Sequence, residues 1–562
     1  TMALILLVLS GHPESMLHVV ALGVAYGIFK IVGTRGERLP QTIVAGLAAA
    51  AVTLAVCAIF LLPFLDAMVQ SEEYIHRATG REHHEERAPW TRVAHEASVS
   101  ILPLLEGRPG IAARRHDPAV QHHWVGSAYA GSLLFPLAFL AIAAGHRSDR
   151  WFFVAAGVIG FLAGVSAPGA VDVLARLPLF SIAVNVRLIG FAALSLSVLA
   201  AFGVDMLAPR RRLAGVLFGS TGVVLLITLF ALAPNAMNEG LPLEWVRVEA
   251  FRAVAPILLG APALLVSGPQ RLPAAMLALL LLQRGGETAG TRPATPGAAF
   301  YPPFPGLALL KNPEPFRVVG EGDILVPNTA THYRLEDVRG FEALTLARLH
   351  ETYRLWCIKQ PVWSNRVDDL TKPFLSMMNV RFALAKPRKV PPAGWVRLGA
   401  FGDYDVLENT RVLPRAFVPQ IVHTGRRDTV LEMLLLNDFS RQAWIAEGAK
   451  ATVANGPGSV RAARSGTGLR LRATMVHPGW VVVSNAAWKG WRARDANGRD
   501  LPLTTANHAF LGIHVPQGEH DIRLEYRPRS FELGAAISGV AALLLLSAGF
   551  IGAIRKRRAS ST

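Results

Sequence analysis

The chain has 562 residues, of which 51% are hydrophobic and only 17% charged. An ordinary soluble domain is about a quarter charged, so this balance points to a membrane protein. The formal net charge of +17 does not mark a nucleic-acid binder, because many arginines stand at the ends of apolar runs, where they anchor and orient membrane helices.

Residues 2–10 read as a partial span, too short to cross a bilayer alone. The opening ALILLVLS has no basic n-region and no small-residue cleavage site, so it is not a signal peptide. It reads as a chain entered part-way through a membrane helix. Gly11-His12-Pro13-Glu14 is a tight polar break, followed by spans at 17–32 and 42–65. A long polar loop, 67–126, comes next. Spans at 128–145 and 151–165 precede an amphipathic or re-entrant stretch at 168–185. Further spans are expected at 186–207, 213–233, 251–266 and 272–282.

The last span, 533–554, is uncharged and is followed at once by Arg555, Lys556, Arg557 and Arg558. That cluster predicts a cytoplasmic C-terminus. Counting back, the Arg-bearing loops at 35–38, 146–150, 210–212 and 271 all fall inside, and 67–126 and 284–530 fall outside. The expected fold is therefore a polytopic α-helical membrane protein of the plasma membrane with a large extracytoplasmic α+β region. The divisions are a multi-span region 1–283, a mixed α/β region 284–450, a small β-sandwich 451–529, the final helix 533–554 and a basic tail 555–562. The sandwich rests on short strands and turn signals, Asp495-Ala496-Asn497-Gly498 above all. Cys57 and Cys357 lie in different regions, so no disulfide framework is expected.

The C-terminal segment carries Gly490-Trp491, the turn 495–498, Asn507 to Phe510, a "vPxGxH" turn at 515–520 and Tyr526-Arg527-Pro528. Upstream stand the GHP break at 11–13, VRGFEAL at 338–344 and LENTRVLPRAFV at 407–418. In this order the motifs resemble the YfhO family of bacterial membrane proteins. The family is similar to the GT-C class of glycosyltransferases. The resemblance thus implies a polyprenyl-phosphate-linked sugar as donor, an envelope glycan or polymer as acceptor, and chemistry at the outer face. It also implies that the family's N-terminal spans, with the principal catalytic carboxylate, precede this sequence.

His12 and Glu14 sit in the outer break, and Arg187 stands just inside the outer end of its span. Together they are the candidate donor-phosphate site, since polar groups at head-group depth are functional candidates and guanidinium forks suit phosphate. The plainer alternatives are a solvated proline turn and a snorkelling arginine. Asp66, Glu72 and Glu73, where a span meets the long loop, are weak candidates for a catalytic base; solvated loop charge is the commoner case. His76, His83, His84, His95, His116, His122 and His123 crowd that loop, but adjacent histidines point apart on a helix, so no metal site is expected there. No cofactor is established; a divalent metal is compatible with the transferase reading. Trp480, Trp488 and Trp491 are expected in a core or interface belt rather than on a glycan. Phosphate-cradling GxxxxGK[ST] and GxGxxG patterns are absent. The alternative function is non-enzymatic: a lipid-linked-sugar transporter or an envelope assembly scaffold.

Overall fold

The computed structural model describes residues 1–33, 39–78, 87–103, 107–108, 112–113, 128–238, 240–288, 296–297, 301–342, 344–359, 365–446 and 454–559. The helices run in order α1 (Met2–Leu9), α2 (Pro13–Gly33), α3 (Leu39–Val56), α4 (Ala58–Met68), α5 (Glu72–Ala78), α6 (Trp90–Ile101), α7 (Leu134–Ala144), α8 (Asp149–Gly164), α9 (Ala170–Leu174), α10 (Ile189–Met206), α11 (Arg211–Asn238), α12 (Leu243–Val266) and α13 (Leu272–Thr288). The C-terminal helix is Arg529–Ala559. Among the described residues, six helical stretches are long and apolar enough to cross a membrane: α2, α3, Asn185–Met206, α11, α12 and Arg529–Gly552. The other expected spans appear as shorter helices, α4, α7, α8 and α13 among them.

Three expectations shift. The span expected at 42–65 breaks at Cys57 into α3 and α4. The first amides of α4 lose their intrahelical acceptors there. Ser538 of the C-terminal helix accepts from the Ile59 N–H at 2.9 Å and donates to the Ala55 carbonyl at 3.1 Å. The bare Cα of Gly534, one turn earlier, lets the two backbones meet: a Cβ would lie 2.4 Å from the Ala58 oxygen. This is small-residue packing of membrane helices. Second, α12 begins at Leu243 rather than 251; the short span at 272–282, which is expected to continue into its flanks, runs on to Thr288. Third, the polar loop 67–126 contains α5 and α6. Buried Val93, Glu96, Val99 and Ser100 give α6 one inward face at helical spacing.

The chain forms two units, Thr1–Ile5, Ala48–Arg81 and Thr295–Thr562 in one, Leu6–Leu47 and Glu82–Ala294 in the other. In the second unit, α7 and α8 pack on α10, and α11 on α12. Leu137, Leu140, Phe218, Leu225, Ile257 and Met276 are core residues.

The first unit is β-rich. Besides a two-residue pair, Ile358–Lys359 with Asn365–Arg366, its strands are β1 (Arg317–Gly320), β2 (Val380–Ala385), β3 (Trp395–Ala400), β4 (Asp405–Asn409), β5 (Ala416–Phe417), β6 (Ile421–Gly425), β7 (Gln442–Ala446), β8 (Gly458–Ser465), β9 (Gly468–Met475), β10 (Gly479–Ala486), β11 (Trp491–Arg494), β12 (Asp500–Leu501), β13 (Leu503–Ala506), β14 (Phe510–Val515) and β15 (Gly518–Tyr526). They make a four-stranded sheet β1-β2-β4-β3 and two facing sheets, β8-β9-β15-β11-β12 and β6-β7-β13-β14-β10-β5. Leu471, Val481, Val483, Ile513, Ile522 and Leu524 fill the space between the last two. Residues of the expected 451–529 segment contribute strands to both facing sheets, and the second sheet reaches back to Ala416 and takes in β5, β6 and β7.

The reason lies in β10. A strand buried on one face alternates, as β9 does with Leu469, Leu471, Ala473 and Met475 inward and arginines outward. In β10, by contrast, all of Gly479 to Ser484 is buried. Val481 and Val483 face the sandwich core, while Trp480 and Val482 enter a second core with Phe374, Phe439 and Phe510. One sheet therefore serves two layers.

Candidate functional site

Proline at the first position of α2 leaves His12 as its N-terminal cap, and the Ser15 N–H donates to His12 Nδ1 at 3.1 Å. Glu14 follows in the first turn. Opposite lies a 3-10 turn, Asn185–Leu188, that leads into α10 and carries Arg187. Asn185 holds the approach to that turn by donating to the Phe180 carbonyl at 2.8 Å. Two glycines of α8 bring helix and turn into backbone contact. A Cβ on Gly160 would lie 2.8 Å from the Leu188 oxygen, and one on Gly164 would lie 2.6 Å from Ile189 Cβ.

The result is a three-residue cluster. Arg187 is ion-paired with Glu14, and its Nη1 lies 2.7 Å from His12 Nε2. Glu14 Oε1 also accepts from the Val184 N–H at 3.3 Å. Thus the carboxylate ties both the guanidinium and the backbone before it. Arg187 uses only Nη1 in these contacts; its Nε and Nη2 have no partner among the described residues. Those two nitrogens form the edge of the fork that binds oxyanions two-point. The Arg187 side chain is 38% exposed and Glu14 15%. An ion pair with so much solvent around one partner contributes roughly 0.2–1 kcal/mol to stability.

The imidazole adds a constraint. Ser15 N–H faces one ring nitrogen and the guanidinium faces the other. A neutral ring has one acceptor nitrogen and one N–H, so one of these contacts sets donor against donor. An anionic oxygen between Arg187 and His12 would accept from both.

Asp66, Glu72 and Glu73 do not converge. Asp66 accepts from Ser530 at 3.0 Å and lies 3.4 Å from Lys489 Nζ. Glu72 lies 3.5 Å from His350 Nδ1, and Glu73 pairs with Arg77 at 2.7 Å. Among the described residues no group of three or more His, Cys, Asp or Glu could hold a metal. His83, His84, His116, His122 and His123 lie outside the described residues. Both cysteines are free thiols. Trp480 is buried in the second core, and Trp491 packs at the edge of the sandwich core.

The helical unit also holds a polar cluster that the apolar pattern hides. Glu287 accepts from the Tyr129 hydroxyl at 2.5 Å and from Gln283 Nε2 at 2.9 Å, and pairs with Arg284 at 2.6 Å. Gln283 Nε2 also lies 2.8 Å from Ser132 Oγ. Glu249 pairs with Arg252 one turn along α12. Glu249 and Glu287 are 4% and 5% exposed and line a shared cavity of about 10 Å³, too small for any sugar. The signal available in the sequence was the four-residue step from Gln283 to Glu287, which prolongs the face of Met276.

Residues 463–538 match the family model of the bacterial membrane protein YfhO. The resemblance read from the C-terminal motifs holds for this segment. No curated protein and no solved structure matches the chain. The matched segment covers β9 to β15 and the start of the C-terminal helix, and the motifs within it make junctions. Asp495 Oδ1 accepts from the Asn497 and Arg499 amides at 2.9 and 2.8 Å, and Gly498 supplies the positive φ of 79° that closes this hairpin. Asn507 exchanges hydrogen bonds with the Trp444 backbone at 3.0 and 2.7 Å. His508 Nε2 lies 2.6 Å from Glu351 Oε2, and Arg427 Nε donates to the same oxygen at 3.0 Å. Burial alone would raise the Glu351 carboxyl, but these two partners overcome it and hold the pKa at about 2.

Proposed function

We propose that this chain is a GT-C-like membrane glycosyltransferase, or the C-terminal portion of one. In this reading it moves a sugar from a polyprenyl-phosphate donor to a cell-envelope acceptor at the outer face of the plasma membrane. The observation that carries the proposal is the open Nε–Nη2 edge of Arg187, held in place by Glu14 beside His12. A fixed guanidinium with a free two-point edge, next to an imidazole that also lacks an acceptor, suits a phosphate oxygen. The position fits too: both elements end where apolar helices begin, the depth at which a polyprenyl phosphate presents its charge. In transfer, Arg187 binds the leaving phosphate and stabilises charge that grows on it. Glu14 orients Arg187, and His12 donates from the ring nitrogen that faces the phosphate. The acceptor base lies outside this cluster.

The test is transfer of labelled sugar from a polyprenyl-phosphate donor by membranes carrying the complete protein. Wild type should transfer label to the envelope polymer, and Arg187→Ala should not. A wild-type protein that moves the lipid-linked sugar across the membrane without transfer would instead be a transporter. For the orientation, a cysteine at Ser459 should be labelled from outside intact cells and one at Ser561 should not.

A further inference from the structure

Where the β-rich region joins the C-terminal helix, basic side chains converge on two adjoining grooves. One, of about 580 Å³, is lined by Leu62, Asp66, Lys489, Arg527, Pro528 and Leu533 among others. The other, of about 550 Å³, takes Arg494, Asp500 and Glu532. Trp491, Arg492 and Arg529 line both. The cations come from separate pieces of chain: Lys489, Arg492 and Arg494 from the hairpin, and Arg527 and Arg529 from the lead into the helix.

Backbone geometry fixes these pieces together. Gly490 has a φ of 122°, and its carbonyl accepts from the Arg527 N–H at 2.9 Å. A Cβ there would lie 2.8 Å from the Pro528 ring. Trp491 pairs across the sheet with Tyr526, their rings 5.4 Å apart. So the Gly-Trp and Tyr-Arg-Pro motifs build one junction at the start of an apolar helix.

The charges there do not cancel. The five cations face three carboxylates, Asp66, Asp500 and Glu532. Arg492 and Arg527 share Glu532 at 2.9 and 2.8 Å, Arg494 takes Asp500 at 2.9 Å, and Lys489 reaches Asp66. The Arg529 side chain makes no hydrogen bond or ion pair with a described residue, although it lines both grooves. Scattered snorkelling arginines would reach outward from a helix end singly. Here they wall a concave site whose floor, Leu62, Pro528 and Leu533, continues into the apolar helix.

We propose that this junction is a binding site for the phosphate-bearing head group of an anionic membrane lipid. Arg529 and Arg527 take the phosphate, and Trp491 and the apolar floor take the first part of the acyl chains. This site is separate from the Arg187 cluster and does not depend on it.

The test uses the full chain in nanodiscs of phosphatidylcholine with acyl-brominated phosphatidylglycerol or acyl-brominated phosphatidylcholine as quencher. The signal of Trp491 is obtained by difference against Trp491→Phe. Brominated phosphatidylglycerol should quench Trp491 at lower mole fraction than brominated phosphatidylcholine. Arg529→Gln should weaken that preference about fivefold, and adding Arg527→Gln should weaken it about fivefold more. Arg461→Gln, on the edge strand β8, and Arg187→Ala should leave it unchanged. Soluble glycerol phosphate should not displace the lipid. Equal quenching by the two lipids, or an undiminished preference in the double variant, overturns the proposal. Displacement by glycerol phosphate overturns it as well, because the site then reads a free phosphate. Native mass spectrometry of co-purified lipid provides the second readout, with phosphatidylglycerol retained by wild type and lost from the double variant.

Discussion

The helical unit holds two polar clusters of opposite character. At Glu287 a tyrosine, a glutamine and an arginine converge on one buried carboxylate. Around Arg187, the groups are half-exposed and one edge of the guanidinium is unused. A fully paired buried network fixes helices in register, since removing one member strands the others. A cluster with an open donor edge contributes little to stability and has something left to bind. Completeness of pairing, rather than the presence of charge, distinguishes the two clusters.

The contrast can be broken at several points. Glu287→Ala should have the largest effect on folding. It removes the acceptor of the Tyr129 hydroxyl and one of the acceptors of Gln283, and should cost about 3 kcal/mol, read as loss of folded protein in detergent thermal melts. If the variant melts like wild type, the cluster is not a structural lock. Next, Gly164→Val should push the Asn185–Leu188 turn off α8, because a Cβ there already lies 2.6 Å from Ile189. Overpacking of this kind costs roughly 1–3 kcal/mol, and donor binding should fall with it although no site residue has changed. Arg187→Ala should shift stability by less than about 1 kcal/mol. A variant that fails to fold would move Arg187 into the scaffold class.

In the β-rich unit the expected effect depends on pH. The Glu351 carboxyl lies at about 2 in the folded chain, below its ordinary value of 4.5. A lowered carboxylate contributes stability at pH above 4.5, and that contribution is lost as pH falls toward 2. Glu351→Gln should therefore melt below wild type at neutral pH, and the gap should narrow across that acidic window. A gap independent of pH would show that shape, not charge, is what Glu351 supplies.

Much of this was legible in the sequence. Apolar length found the membrane helices, and Asp495 to Gly498 found the hairpin. His12, Glu14 and Arg187 stand out in the sequence as polar residues beside span ends, and the fold brings all three together. What stayed hidden had physical causes. Gln283 and Glu287 continue a buried helical face with polar atoms, so a count of apolar residues ends α13 before them. The break at Cys57 carries no proline or glycine; it is stabilised by Ser538, which is remote in sequence. β10 shows a continuous apolar run, which fits a strand buried on both faces but does not name the layers. The strands that widen its sheet, from Ala416 to Ala446, join it through pairings between segments distant in sequence.

The account rests on Arg187 as the phosphate ligand, and the direct measurement is polyprenyl-phosphate affinity of the complete protein in nanodiscs. Wild type should bind tightest. Arg187→Lys should bind about tenfold more weakly, because a point charge cannot reproduce a two-point contact, and Arg187→Ala should bind more weakly still, with His12→Ala between wild type and Arg187→Ala. Folded Arg187→Ala and His12→Ala proteins that keep wild-type affinity would contradict the account and leave Arg187 as a snorkelling side chain at a helix end.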